Sequence, residues 1–252
     1  MTTRRRCVAA NWKMNLSQKE IQEFATSLKS QLQNESDCDI VIGVPSVYLA
    51  STKKLFESTP VKIFAQNIFH EDKGAFTGEV SLGMLEDCGV DGAIIGHSER
   101  RSLFHEGDEL LNKKVQMTSA KGFQAIYCIG ETLGQRESGE TFKVLENQLK
   151  LGLRGVSELQ YIRIAYEPVW AIGTGVTASP DQAEEVHAFI RKWFLDNYSE
   201  SQAQAMQILY GGSVKPANFD ELIKKPNLDG GLVGGASLKP ESFFDLIKIA
   251  CS

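Results

Sequence analysis

The sequence predicts an α/β fold of eight parallel strands alternating with helices, on three observations: eight short apolar, β-rich runs, helix signatures between them, and a length of 252 residues. Most of the runs are apolar without a break, the pattern of strands covered on both faces, as in parallel sheets. Such repeats either close into a (β/α)8 barrel or lie in an open doubly wound sheet, and periodicity alone does not choose. The length suits one barrel domain over 1–252 or two small domains.

Cys7 to Ala10 is the first run. Ser17 and Glu20 after it form a capping box, ahead of Ile21, Phe24, Leu28 and Leu32 on one helical face. Ile40 to Val44, Val61 to Ala65, Gly92 to Ile95, Phe123 to Ile129 and Ile162 to Tyr166 follow. Between the third and fourth runs, Gln66 to Glu79 is longer than an ordinary barrel turn. Beyond the sixth, Ser179 can cap a helix, Pro180 suits its first position, and Val186, Ile190, Trp193 and Phe194 supply the apolar stripe. Aromatic residues at that spacing read as core rather than as a cofactor box. Met206 to Tyr210 and Leu228 to Val233 complete the set.

The 42% apolar and 23% charged residues are ordinary for a globular chain, and no tract is biased enough for disorder. A net charge of -5 argues against nucleic acid or an anionic membrane as partner, so an anionic ligand must be caught locally. Arg4-Arg5-Arg6 has no apolar segment behind it and reads as a solvated N-terminal arm, not a signal. No apolar run is long enough to span a bilayer. Cys7, Cys38, Cys88, Cys128 and Cys251 are odd in number and scattered without a C-x-x-C pair, which fits reduced thiols in the cytoplasm. His70, His97, His105 and His187 show no metal-binding spacing, and no metal is expected.

Polar motifs follow the strands directly: Asn11-Trp12-Lys13, Gly96-His97-Ser98-Glu99, Glu167-Pro168, Gly211-Gly212-Ser213 and Gly234-Gly235. In a parallel barrel all of them meet at one rim, where barrel enzymes place their chemistry. Each has a plain alternative: Lys13 a solvated charge, His97 a loop residue, Glu167 a partner for a nearby cation, the glycine pairs tight turns. Shared placement favours a site, because independent surface residues have no reason to select strand ends on one face. The glycine pairs open backbone N–H groups to close approach by an anion, phosphate above all. Gly173-Thr174-Gly175-Val176-Thr177-Ala178 matches the dinucleotide pattern G-x-G-x-x-G/A, but the next strand ends in Tyr210-Gly211-Gly212 without the acidic residue that pattern requires. It reads instead as a loop stiffened by Pro168 and Trp170 and hinged near Thr177 and Ala178.

Taken with Ala10-Asn11-Trp12-Lys13-Met14-Asn15, Gly96 to Arg101, Ala165 to Gly175, Tyr210 to Val214 and Leu232 to Leu238, the chain closely resembles the triosephosphate isomerases over nearly its whole length. The resemblance implies a single (β/α)8 TIM barrel that interconverts dihydroxyacetone phosphate and D-glyceraldehyde 3-phosphate through an enediolate, without a cofactor. It implies Glu167 as the base at carbon. It also implies His97 as an electrophile whose imidazole the N-terminus of the following helix keeps neutral, a property carried over from the family and not read from spacing. Lys13 would be the oxyanion-stabilising cation, with Asn11 in support and Glu99 orienting Lys13. The phosphate would be held at Gly173, Ser213, Gly234 and Gly235, under a 168–178 loop that closes over it.

The family's long third loop reaches into a twin subunit, so the resemblance also implies a homodimer with Thr77 near the partner's Asn11 and His97. Three positions depart from the family habit: Leu16 and Val176 replace glycine and lysine, and Gly231 replaces a larger apolar residue. A sugar-phosphate epimerase or aldolase on a similar barrel is the rival reading. Strands five to eight contain no lysine for a Schiff base, and ligands for a metal-dependent type are lacking.

Overall fold

The computed structural model describes residues 4–32, 37–172 and 177–252. Its strands are β1 (Cys7–Asn11), β2 (Asp39–Val44), β3 (Val61–Ala65), β4 (Gly92–Ile95), β5 (Gln124–Ile129), β6 (Ile162–Tyr166), β7 (Ile208–Tyr210) and β8 (Gly230–Val233). All pair in parallel and in chain order, and β8 returns to β1 through Cys7 opposite Gly230, so the sheet closes into a barrel. The open alternative is thereby excluded.

The helices are α1 (Gln18–Gln31), α2 (Leu49–Leu55), α3 (Leu82–Asp87), α4 (Ser98–Leu103), α5 (Asp108–Ala120), α6 (Leu133–Glu137), α7 (Thr141–Gly152), α8 (Pro180–Asn197), α9 (Glu200–Ala205), α10 (Pro216–Ile223) and α11 (Pro240–Cys251). In α1 the Ser17–Glu20 capping box forms and Ile21, Phe24 and Leu28 are buried, whereas Leu32 lies just past the helix end. In α8 Ser179 caps, Pro180 takes the first turn, and Val186, Ile190 and Phe194 are buried.

Strand alternation sorts the apolar runs into two cores. Cys7, Ala9, Val41, Phe64, Ile94, Ile126, Cys128, Ala165, Leu209 and Leu232 form one buried cluster inside the barrel. The intervening positions, among them Val8, Ala10, Ile40, Ile42, Ile63 and Ile95, pack against the helices. Followed toward the strands' C-terminal ends, the inward positions become Asn11, Glu167, Gly211 and Gly234. At the other end they become Asp39, Gln124, Arg163 and Gln207. There the Arg163 guanidinium donates to Gln207 at 2.7 Å, Asp39 at 2.9 Å and Gln124 at 3.0 Å. The barrel is thus closed at its base by a hydrogen-bonded polar layer and open to chemistry at its top.

Three expectations are corrected. Strand β7 starts at Ile208 rather than Met206, because the carbonyls of Ala203 and Met206 accept from Arg191 Nη1 at 2.9 Å each. Strand β8 starts at Gly230 rather than Leu228, whose N–H closes a turn onto Lys225. The Arg4-Arg5-Arg6 triplet is no solvated arm: Arg4 Nε donates to Asp229 at 2.6 Å, Arg5 Nε to Asp39 at 2.9 Å, and Arg6 Nη1 to the Ala250 carbonyl at 3.1 Å.

Two of the departures from family habit acquire physical content. Leu16 has φ 68°, a left-handed conformation that favours glycine. At Gly231 a Cβ would stand 3.1 Å from the Phe219 ring, so the aromatic side chain of α10 occupies the room a larger residue would need.

Candidate active site

Asn11, the last residue of β1, is buried and its Oδ1 accepts the Lys13 N–H at 3.1 Å. Between them Trp12 is fully buried, edge-on to Phe24 at 5.1 Å, with Nε1 donating to Ser237. Gln66 Nε2 donates to the carbonyls of both Lys13 and Gly43 at 2.9 Å. Anchored on both sides, Lys13 is held at φ 52°, a conformation an L residue keeps only when its surroundings enforce it. Its ammonium lies 2.7 Å from Glu99 Oε1.

His97 caps α4. Its Nδ1 accepts the Glu99 N–H at 3.2 Å, so that nitrogen carries a lone pair and the ring proton is assigned to Nε2. Nε2 lies 3.0 Å from Glu167 Oε1, and the Ser98 N–H donates to Glu167 Oε2 at 2.8 Å. Burial works against a charged His97, but the Glu167 carboxylate, joined by that of Glu99 3.4 Å from Nδ1, outweighs it and raises the ring's proton affinity above the ordinary value. The Glu99 amide at Nδ1 opposes a second proton. The expected influence of the helix N-terminus therefore acts at Nδ1, where the Glu99 carboxylate opposes it, and the Glu167 carboxylate acts at Nε2.

Glu167 is 2% exposed, and its backbone N–H donates to Ile129 O on the neighbouring strand β5 at 2.7 Å. Beneath the following segment, Glu131 is fully buried and accepts from Trp170 Nε1 at 2.9 Å and Tyr166 OH at 3.1 Å. This contact anchors Trp170 beside the end of β6, and Ile172 beyond it lines the cavity at the barrel mouth.

Asn11, Lys13, His97, Glu167, Ser213, Gly234 and Gly235 line one cavity of ≈ 540 Å³ at the C-terminal rim. Gly235–Ser237 form a 3-10 turn whose first residue follows Gly234, and Ser237 Oγ ties it to Val233 O and Gly234 O. Backbone N–H groups at the start of such a turn are available to an anion. Gly173, and with it residues 174–176 of the expected closing loop including Val176, lies outside the described residues.

Three contributors to this mouth were not anticipated from the sequence: the Ser98 amide that holds Glu167, and the cations Lys215 and Lys239 on the wall. Lys239 stands four residues beyond Gly235 and directly before Pro240, a position from which a charge beside the glycine pair could have been noticed. Among the described residues, no group of three or more His, Cys, Asp or Glu side chains could hold a metal ion, and no helix is long and apolar enough to cross a membrane.

A family model described as triosephosphate isomerase matches residues 6–250. The chain is 49% identical over 241 residues to the triosephosphate isomerase of Lacticaseibacillus casei, covering 95% of this chain and 96% of that one. It is 47% identical over 243 residues to the enzyme of Lactiplantibacillus plantarum, covering 96% of each, and 47% identical over 247 residues to that of Fusobacterium nucleatum, covering 97% and 98%. A closed barrel carrying these side chains at its mouth, matched from Arg6 to Ala250, belongs to the triosephosphate isomerase family.

Proposed function

We infer that the chain interconverts dihydroxyacetone phosphate and D-glyceraldehyde 3-phosphate through an enediolate, and that it does so in the cytoplasm. The supporting observation is that a carboxylate, an imidazole and an ammonium that are far apart in the chain line one small cavity: Glu167, His97 and Lys13. In this reading Glu167 takes the proton from one substrate carbon and returns it to its neighbour. His97 donates from Nε2 to a substrate oxygen and moves protons between the two oxygens. Lys13 stabilises the oxyanion as charge develops, with Asn11 holding the Lys13 backbone in place.

The phosphate is assigned to Ser213, Gly234 and Gly235, with Gly173 as a further contact. Lys215 and Lys239 supply the local positive charge that an acidic protein needs to capture an anion. The test is a coupled assay with dihydroxyacetone phosphate in deuterated water, without added cofactor. Aldehyde product carrying solvent-derived deuterium at the adjacent carbon is the expected result. Absence of conversion, or complete retention of the substrate hydrogen, would sink the reading.

The homodimer is part of the same proposal. Thr77 is exposed near the tip of a loop stiffened by Phe69 against Phe76, with ring centroids 4.5 Å apart. Met14 and Phe104, 96% and 63% exposed, border a ≈ 410 Å³ groove beside Lys13 and Gln66. Apolar side chains around a groove of this kind suit burial against a second copy. Sedimentation should give a dimer, with Thr77 entering the partner near Asn11 and His97; a fully active monomer would refute it.

A further inference from the structure

Five cysteines are distributed through the chain, and two of them, 213 positions apart, come together: the sulfurs of Cys38 and Cys251 lie 2.6 Å from one another. A covalent S–S bond is about 2.05 Å. Cys38 immediately precedes β2, and Cys251 ends α11. Both backbones are fixed by the N-terminal arginines, since Arg5 Nη2 donates to Cys38 O at 3.2 Å and Arg6 Nη1 to Ala250 O at 3.1 Å. The pair sits at the base of the barrel, at the end of the strands opposite His97 and Glu167.

Access is asymmetric. Cys38 is buried, whereas Cys251 is half-buried and lines a surface groove with Arg4, Arg5, Arg6 and Ser252. Cys7 and Cys128 are sealed inside the barrel, where burial pushes the Cys7 thiol up to about 11 and the Cys128 thiol well above its ordinary value. Cys88, at the end of α3, is exposed and provides an internal reference for a thiol that solvent reaches freely.

We propose that Cys38 and Cys251 are a reversible oxidation site at which a small peroxide produces an intrachain disulfide, clasping the C-terminal helix to the start of β2. The Cys251 thiolate attacks one peroxide oxygen, the O–O bond breaks, and water leaves after protonation, giving a sulfenic acid. Cys38 then attacks that sulfur, its proton departs, the S–O bond breaks, and a second water leaves as the S–S bond forms. Two thiols lose two electrons in all, and hydrogen peroxide is reduced to two waters. The buried partner is the resolving thiol because the first oxidation occurs where solvent reaches.

Reduced full-length protein treated with hydrogen peroxide, alkylated and digested should yield a linked Cys38–Cys251 peptide that dithiothreitol separates. Cys38→Ser should stop at a Cys251 sulfenic acid trapped by a dimedone probe, and Cys251→Ser should leave Cys38 a thiol. The oxidised wild type should melt several degrees higher than the reduced form, because the link closes a long loop, with turnover unchanged. Wild-type protein in which Cys251 becomes a sulfinic acid while Cys38 stays a thiol would overturn the proposal. So would protein in which neither changes at doses that oxidise Cys88; both outcomes are read on the wild type and need no variant to fold.

Discussion

The Ser98 backbone N–H donates to Oε2 of Glu167 at 2.8 Å, so the carboxylate rests against the first turn of α4 while its other oxygen faces His97 Nε2 at 3.0 Å. A base held by two donors gives up both contacts, or exchanges one of them for substrate, before it takes a proton. The resting arrangement stores the carboxylate beside the electrophile.

Glu167→Gln removes the proton acceptor but preserves size and the ability to accept from Ser98. General-base deletion reduces turnover by roughly 10²–10⁴-fold, and we expect kcat to fall within or beyond that range. Affinity for a phosphate-bearing, non-reacting analogue should change little, since Ser213, Gly234 and Gly235 remain. Steady-state kinetics and calorimetric titration check it; near-native kcat would remove Glu167 from the role.

His187 gives the protein an acid-sensitive element that does not line the cavity itself. Its ring is fully buried, 5.9 Å from Tyr166 and 6.2 Å from Tyr210, and Nε2 has no hydrogen-bond partner among the described residues. Burial pushes its pKa down to about 3, against about 6.5 in the unfolded chain. Between those values the unfolded state binds the extra proton. Stability is therefore complete above about pH 6.5 and falls as pH drops, with a slope approaching about 1.4 kcal/mol per unit until pH 3. Urea unfolding of wild type and His187→Phe at pH 5 to 6.5, before most carboxylates titrate, should show the shallower slope in the variant. Parallel slopes would refute the assignment.

The eight strands and the shared rim were legible because each chemical motif directly follows an apolar run. Which residues face inward was not. Interior and exterior positions such as Val41 and Ile42 are equally buried and apolar, so alternation leaves no polarity signal. Contacts distant in sequence were also hidden: Arg191 reaches Asp229 across 38 positions, and Arg4 reaches the same carboxylate across 225. Arg191 also holds the Met206 carbonyl ahead of β7, and Arg4 docks the first residue of the arginine triplet, and nothing in local composition announces either. At the site, His97 and Glu167 stood out by position, whereas the Ser98 amide contributes a backbone atom that side-chain identity does not encode.

Gly211 tests how closely β7 supports Glu167. A Cβ there would lie 2.8 Å from Glu167 Cγ and 3.1 Å from Tyr166 O, while the Gly211 N–H already donates to that carbonyl at 2.7 Å. Gly211→Ala should displace the Glu167 side chain rather than the strand, because the side chain is the softer neighbour. We expect kcat to fall at least tenfold with overpacking of about 1–3 kcal/mol in stability. Kinetics beside denaturant unfolding separates the two; unchanged kcat would mean the catalytic side chain tolerates the methyl.

Asp229 binds Arg4 and α8 into the barrel base. Its carboxylate accepts from Arg4 Nε at 2.6 Å, Arg191 Nη2 at 2.6 Å and the Ile208 N–H at 2.9 Å, and it is 4% exposed. Asp229→Ala leaves the Arg191 guanidinium buried without its hydrogen-bonded carboxylate, a defect that costs about 3–5 kcal/mol. Arg4 is nearer solvent, so Arg4→Met should cost much less, on the order of 1 kcal/mol. Urea unfolding should rank the two in that order, and turnover of the folded Asp229→Ala protein should stay native because the defect lies at the opposite end of the strands from Glu167. Equal losses would mean that Arg191 finds another acceptor; its remaining hydrogen bonds to Ala203, Met206 and Asn227 are to neutral groups, which leaves Glu184 to offset the charge without a direct bond.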